Sequence, residues 1–211
     1  VSGPGSFAQR VQYSRAFQNK WIAKQRSDVA NILSICKNLS YNETRYHSRT
    51  DPMCSLLNHW TACLGILVDV STDPIHTDEA KWATHIVQEC AGIQGFQRLV
   101  SFSVEADFFH NLSEAIKFHD AKQVDVSVPH LHLEACLLKA EAMFDLGYIF
   151  SSEPNATYTW KFLDGARRDQ TIYFGHQQSQ TGAFGWEGMN KQKLERPMKF
   201  AKSLYMMMKD H

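Results

Sequence analysis

The sequence predicts an all-α fold, a single antiparallel helical bundle or a short helical-hairpin solenoid of six to eight helices. Three observations predict it. Apolar residues recur at intervals of three and four along most of the 211 residues, the spacing that places them on one face of a helix. Cap-forming residues and prolines open these segments and glycines close them. The one alternating stretch, Val124 to Val128, has no second strand to pair with and is assigned as a loop ending at Pro129.

Composition agrees with a globular chain. Residues are 44% apolar and 21% charged, and mean hydropathy is −0.36, which excludes a disordered polyampholyte. The longest apolar run, Leu64 to Val68, is far shorter than the ~18 residues of a membrane span, so no membrane association is expected. Val1 to Ser6 has no period and is set aside as a flexible lead-in, leaving residues 7–211 as a single helical domain.

The elements follow in order. From Phe7 to about Leu39, the residues Val11, Tyr13, Phe17, Trp21, Ile22, Val29, Ile32, Leu33 and Cys36 predict one long amphipathic helix, because no Pro or Gly interrupts them. Thr50-Asp51-Pro52 then caps a mostly buried helix through Met53, Leu56, Leu57, Trp60, Cys63, Leu64 and Leu67. Asp73-Pro74 and Thr77-Asp78-Glu79 supply the acidic start of a third helix, which runs over Ala83, Ile86, Val87 and Cys90 and stops at Gly92. Phe96, Leu99 and Val100 begin another apolar segment, and Ser103 can cap a helix carrying Val104, Phe108, Leu112, Ala115 and Ile116, so the stretch reads as one helix or two.

His130 to Leu146 is rich in Leu, Ala, Glu and Lys. Leu131, Ala135, Leu138 and Ala142 share one side and Gly147 stops the segment. Leu133 to Tyr148 also resembles one helix of a tetratricopeptide hairpin, without a repeat of it elsewhere. Tyr158, Trp160 and Phe162 suggest a short helix and Ile172 to Phe174 a short strand. Residues 175–190, with Gly175, Gly182, Gly185, Gly188 and three glutamines, form a flexible loop by composition. Pro197 to Asp210 places Met198, Ala201, Leu204, Tyr205 and Met208 on one face and Lys199, Lys202 and Lys209 on others, an amphipathic terminal helix.

Zero net charge conceals segregation. Residues 1–50 carry 8 basic and 2 acidic side chains, 51–160 carry 5 and 15, and 161–211 carry 9 and 5. Either the basic ends pack on the acidic middle, or separate faces meet separate partners. Five cysteines, Cys36, Cys54, Cys63, Cys90 and Cys136, are an odd number without C-x-x-C spacing, which points to a reducing, cytoplasmic or nuclear setting. Four sequons, at Asn38, Asn42, Asn111 and Asn155, point the other way, toward secretion, but no signal-peptide pattern accompanies them.

Candidate chemistry is sparse. No G-x-S-x-G, P-loop or G-x-G-x-x-G occurs in a suitable context, which leans away from an enzyme and calls for no cofactor. Ten histidines are present, with His85, His110, His119, His130 and His132 close together beside Asp107, Asp120 and Glu134. The tandem His119-Asp120 with the earlier His85 resembles the metal-binding pattern of the HD phosphohydrolases. That resemblance implies His85, His119 and Asp120 as metal ligands, Asp145 or Asp164 as the last ligand, and a metal-activated water attacking a phosphoester. His130 and His132 sit two apart, a spacing that diverges on a helix.

Arg10, Arg15, Lys20, Lys24 and Arg26 interleave with Tyr13, Phe17 and Trp21, a composition that neutralises phosphates and stacks bases. Arg167 and Arg168 extend that surface if the ends meet. The i, i+4, i+8 spacing of the three aromatics also suits a core stripe behind a solvated basic face.

The leading expectation is a non-enzymatic interaction module, an adaptor or scaffold binding another protein. Its candidate surfaces are the acidic middle and Met206 to Met208. A nucleoprotein-like helical domain that binds nucleic acid through its basic termini is the first alternative, and an HD-like phosphohydrolase the second.

Overall fold

A computed structural model describes residues 6–27, 35–37, 39, 50–90, 92–119, 129–152 and 156–168. Among these residues the chain is all-helical. Its α-helices are α1 (Phe7–Tyr13), α2 (Arg15–Ser27), α3 (Thr50–Asn58), α4 (Trp60–Ser71), α5 (Thr77–Cys90), α6 (Gly92–His119), α7 (Pro129–Phe144) and α8 (Tyr158–Arg168), with a 3₁₀ turn at Tyr148–Phe150. The segments 121–128, 172–174, 175–190 and 197–210, read above as loop, strand, loop and terminal helix, lie outside the described residues.

The predicted long first helix is broken twice. At Ser14 the backbone turns extended (φ −108°, ψ 109°), and the Ser14 hydroxyl accepts from the Phe17 N–H (3.3 Å), so a serine inside an apparently helical run caps a new helix instead. The break changes the helical phase. Tyr13, expected in the core stripe, is 75% exposed, while Phe7, Ala8, Val11, Phe17 and Trp21 are buried. Beyond α2, residues 35–37 are not helical, because the buried Gln25 side chain holds them. Its Nε2 donates to the Cys36 carbonyl (2.9 Å) and its Oε1 accepts from the Cys36 N–H (2.7 Å).

The second predicted helix is also two. α3 and α4 meet at an angle of 79° about His59, whose backbone (φ −115°, ψ 30°) leaves the helical region. The buried imidazole stands edge-on to Trp21 at 5.8 Å. The bend lets Met53, Leu56 and Leu57 of α3 and Ala62, Cys63, Ile66 and Leu67 of α4 bury into the same core. Pro52 lies in the first turn of α3, where no intrahelical N–H bond is lost. No single helix among the described residues is long and apolar enough to cross a membrane.

α6 organises the remainder. It packs against α3, α5, α7 and α8, and its buried residues serve two clusters: Phe96, Leu99, Val100 and Ala106 in one, Val104 and Phe108 in the other. Ser103, expected as a helix cap, lies mid-helix, where its buried hydroxyl donates to the Val100 carbonyl (2.8 Å). One continuous helix results because that hydroxyl is satisfied within the turn and needs no break. Gly92 opens α6 just past the end of α5 at Cys90. Gly147 (φ 77°) closes α7 as predicted, in the left-handed conformation that favours glycine.

The junction of α5 and α6 depends on Gly95. A Cβ there would lie 2.3 Å from the Cys90 carbonyl oxygen and 2.6 Å from that of Glu89, so only glycine permits this approach. Gly95→Ala is expected to cost about 1–3 kcal/mol, read as a lower denaturation midpoint at unchanged slope. An unchanged midpoint would contradict the junction.

Candidate functional site

The basic residues proposed for nucleic acid divide by location. Arg10 pairs with Glu79 of α5 (3.1 Å) and lies 4.0 Å above the Trp82 ring. Lys24 pairs with Asp69 of α4 (2.8 Å). The basic start therefore packs on the acidic middle, and two of the five amino-terminal cations proposed for nucleic acid, Arg10 and Lys24, are committed to carboxylates of the same chain. Arg15, Lys20 and Arg26 are exposed on α2. Arg167 and Arg168 end α8. Phe17 and Trp21 are buried against Phe7 and Trp82 and present no stacking surface.

The residues proposed for a metal are kept apart. His85 is exposed on α5, five residues before its end at Cys90, and His119 is the last residue of α6. At about 1.5 Å per residue α6 spans roughly 40 Å, so the two histidine backbones stand at least about 25 Å apart. Asp120 lies outside the described residues. His130 and His132 are both helical, so their imidazoles diverge. Among the described residues no group of three or more His, Cys, Asp or Glu is arranged to hold a metal ion.

Two buried polar side chains of α6 explain much of the local order. Asp107 accepts from the Tyr158 N–H (2.8 Å), the Thr159 N–H (2.9 Å) and the Thr159 hydroxyl (2.7 Å). Thr157 covers the next two donors of α8, its hydroxyl accepting from the Trp160 N–H (3.0 Å) and its carbonyl from Lys161 (3.0 Å). All four leading N–H groups of α8 are thus satisfied, two of them by a carboxylate 51 and 52 residues away in sequence. Asn111 donates from Nδ2 to the Cys136 carbonyl of α7 (2.8 Å). Its burial makes the Asn111 sequon a structural amide with no room for a glycan.

Nucleophilic chemistry is absent from this cluster. The Tyr158 hydroxyl donates to the Cys54 sulfur, and burial nevertheless pushes the Cys54 thiol up to about 12, so it remains protonated. Burial also pushes the Asp107 carboxyl up from its ordinary value, against the hydrogen bonds from Thr159 and Tyr158 that lower it.

The feature left unexplained by folding is the outer face of α7. Cys136, Ala140 and Phe144, at i, i+4 and i+8, face the core. The stripe read from the sequence, Leu131, Ala135, Leu138 and Ala142, lies on the opposite side, with Leu131 52% and Leu138 59% exposed. Both faces are apolar. Asn111 and Phe108 select the Cys136 side, through the bond to its carbonyl and the contact of Phe108 with Phe144 (6.2 Å). Leu146, 65% exposed, and Tyr148 extend the apolar surface past the helix end, and Glu134 and Glu141 border it seven residues apart. The sequence shows that the four residues share one side but not whether that side is buried.

No protein-family model, curated protein or solved structure matches the chain.

Removal of the Asp107 cap should be costly. Asp107→Ala is expected to lose about 1–3 kcal/mol, and Asp107→Asn less, since one oxygen still accepts. Because the native pKa of Asp107 is raised, its contribution to stability is greatest below the unfolded value and declines as pH rises through the native one. Chemical denaturation across acid pH checks both points; equal stability of the Ala variant would contradict the cap. In the native protein Cys54 should resist iodoacetamide at mildly alkaline pH and label only on denaturation.

Proposed function

We propose that this chain is a non-enzymatic helical interaction module, an adaptor or scaffold, that binds a protein partner through the outer face of α7. The observation that carries this reading is the stripe Leu131, Ala135, Leu138 and Ala142, opposite the buried face of the same helix. Its spacing is that of helix-in-groove recognition, where an amphipathic helix lays apolar side chains at i, i+4, i+7 and i+11 against another. Leaving two leucines more than half exposed on one stripe is unfavourable unless a partner covers them. The helices are taken as one antiparallel bundle or short hairpin solenoid that holds α7 rigid, and the five free cysteines suit a cytoplasmic or nuclear setting.

The double variant Leu131→Glu, Leu138→Glu tests the reading. Because both side chains are exposed, stability should stay within about 0.5 kcal/mol of wild type. Proteins retained from a cell extract by the immobilised wild-type chain should be depleted at least roughly tenfold on the double variant, a binding loss of about 1.4 kcal/mol. Identical retention by the two would overturn the reading.

A further inference from the structure

We infer that the partner of the outer face of α7 is a second copy of the same chain, the two α7 helices lying parallel about a two-fold axis with Leu131, Ala135, Leu138 and Ala142 against their own counterparts. The inference rests on the reading of this face as a docking surface and names its occupant. Three observations carry it.

The first is spacing. Leu131, Ala135, Leu138 and Ala142 follow one another at intervals of four, three and four, the repeat that lets two helices keep a common seam. Both leucines occupy one kind of position in that repeat and both alanines the other, so leucine layers alternate with alanine layers and the two axes can approach to roughly 8 Å. All four residues are exposed or half-buried, while Cys136, Ala140 and Phe144 hold the opposite side of the helix in the core. The seam therefore forms without disturbing that core.

The second is charge, which also fixes the direction. Glu134 and Glu141 lie along one edge of the stripe, His132 and Lys139 along the other. Parallel helices bring each edge against the opposite edge of the partner, where a residue meets the one five positions further along. Glu134 then meets the partner's Lys139, and the two-fold axis makes this pair twice. Antiparallel helices bring like edges together, so four glutamates would line one side of the seam and both lysines the other. Glu134 and Lys139 are exposed. Lys139 also has an interaction within its own chain, and an ammonium with three donors serves both.

The third is overall charge. The chain carries 22 basic and 22 acidic side chains, a formal net charge of zero. Two copies therefore meet without the long-range repulsion that keeps strongly charged proteins apart, and the face itself supplies both halves of the ion pair it needs.

Sedimentation velocity and photo-crosslinking on the full chain test the inference. The wild type should pass from monomer to dimer with a midpoint on the order of 10 µM, the range expected of a short seam. Leu131→Glu with Leu138→Glu should abolish the dimer, and Glu134→Lys or Lys139→Glu alone should weaken it at least roughly tenfold by turning both ion pairs into repulsions. Mixed together, the two charge variants should pair with each other at wild-type strength, and both changes in one chain should restore the homodimer. A benzophenone side chain at His132 should crosslink light to heavy protein in an isotopic mixture, at residues 129–135 of the second copy. Crosslinks to 138–144 instead, a dimer indifferent to the charge variants, or a wild type still monomeric at roughly 100 µM, ten times the expected midpoint, would each overturn the inference. A monomeric wild type whose capture of another protein is lost in Leu131→Glu, Leu138→Glu would overturn the second copy alone and leave α7 as a docking surface. A dimer that survives that double variant, together with unchanged capture, would remove both.

Discussion

The fold depends on keeping α6 covered on several sides. Its 28 residues place apolar side chains around much of the helix, and such a helix is stable only when neighbours exclude water from all of those faces. α3, α5, α7 and α8 do so. The polar groups on this buried helix become positioning devices because each needs a partner. The hydroxyls of Ser101, Ser103 and Ser113 return to carbonyls of α6 itself. Asp107 and Asn111 instead reach outward, to the start of α8 and to the Cys136 carbonyl of α7.

That division of labour connects core to surface. Asp107 places a negative charge where the amino end of α8 presents positive dipole and unsatisfied N–H groups, so α8 can begin in the interior, with Phe162 against Phe96 and Trp60. Asn111 fixes α7 from its inner side and so determines which of two apolar stripes remains outside. The exposed leucines are a consequence of a buried amide. At the other end, Gln25 performs a similar task, holding the backbone of Cys36 with both ends of its side chain.

Local signals with a single physical interpretation were legible in the residues. The acidic first turn of α5, the glycine stop at Gly147, the apolar α3–α4 segment and the short helix from Tyr158 all correspond to helices where caps and period predict them. Breaks at Ser14 and His59 were not legible, since neither carries Pro or Gly and both lie in unbroken apolar periodicity. The break at Ser14 is compensated by its own hydroxyl at the start of α2 and lets Phe7 pack on Trp21, and the bend at His59 sets its ring beside Trp21. The separation of His85 from His119 was not legible for the opposite reason. Proximity in sequence across one helix start says nothing of the roughly 40 Å that a continuous α6 inserts between them.

By itself the sequence determined that the described residues are helical, where α3, α5, α7 and α8 begin, and that its basic start has an acidic counterpart. Those properties follow from backbone propensity, capping and net charge, which act over a few residues or without regard to geometry. Only the tertiary structure decided that Arg10 and Lys24 meet Glu79 and Asp69, and that Leu131 and Leu138 stay outside while Cys136 and Phe144 go in. Helical periodicity assigns residues to faces of α7. It carries no information about which face the Asn111 amide and the Phe108 ring will engage from another helix.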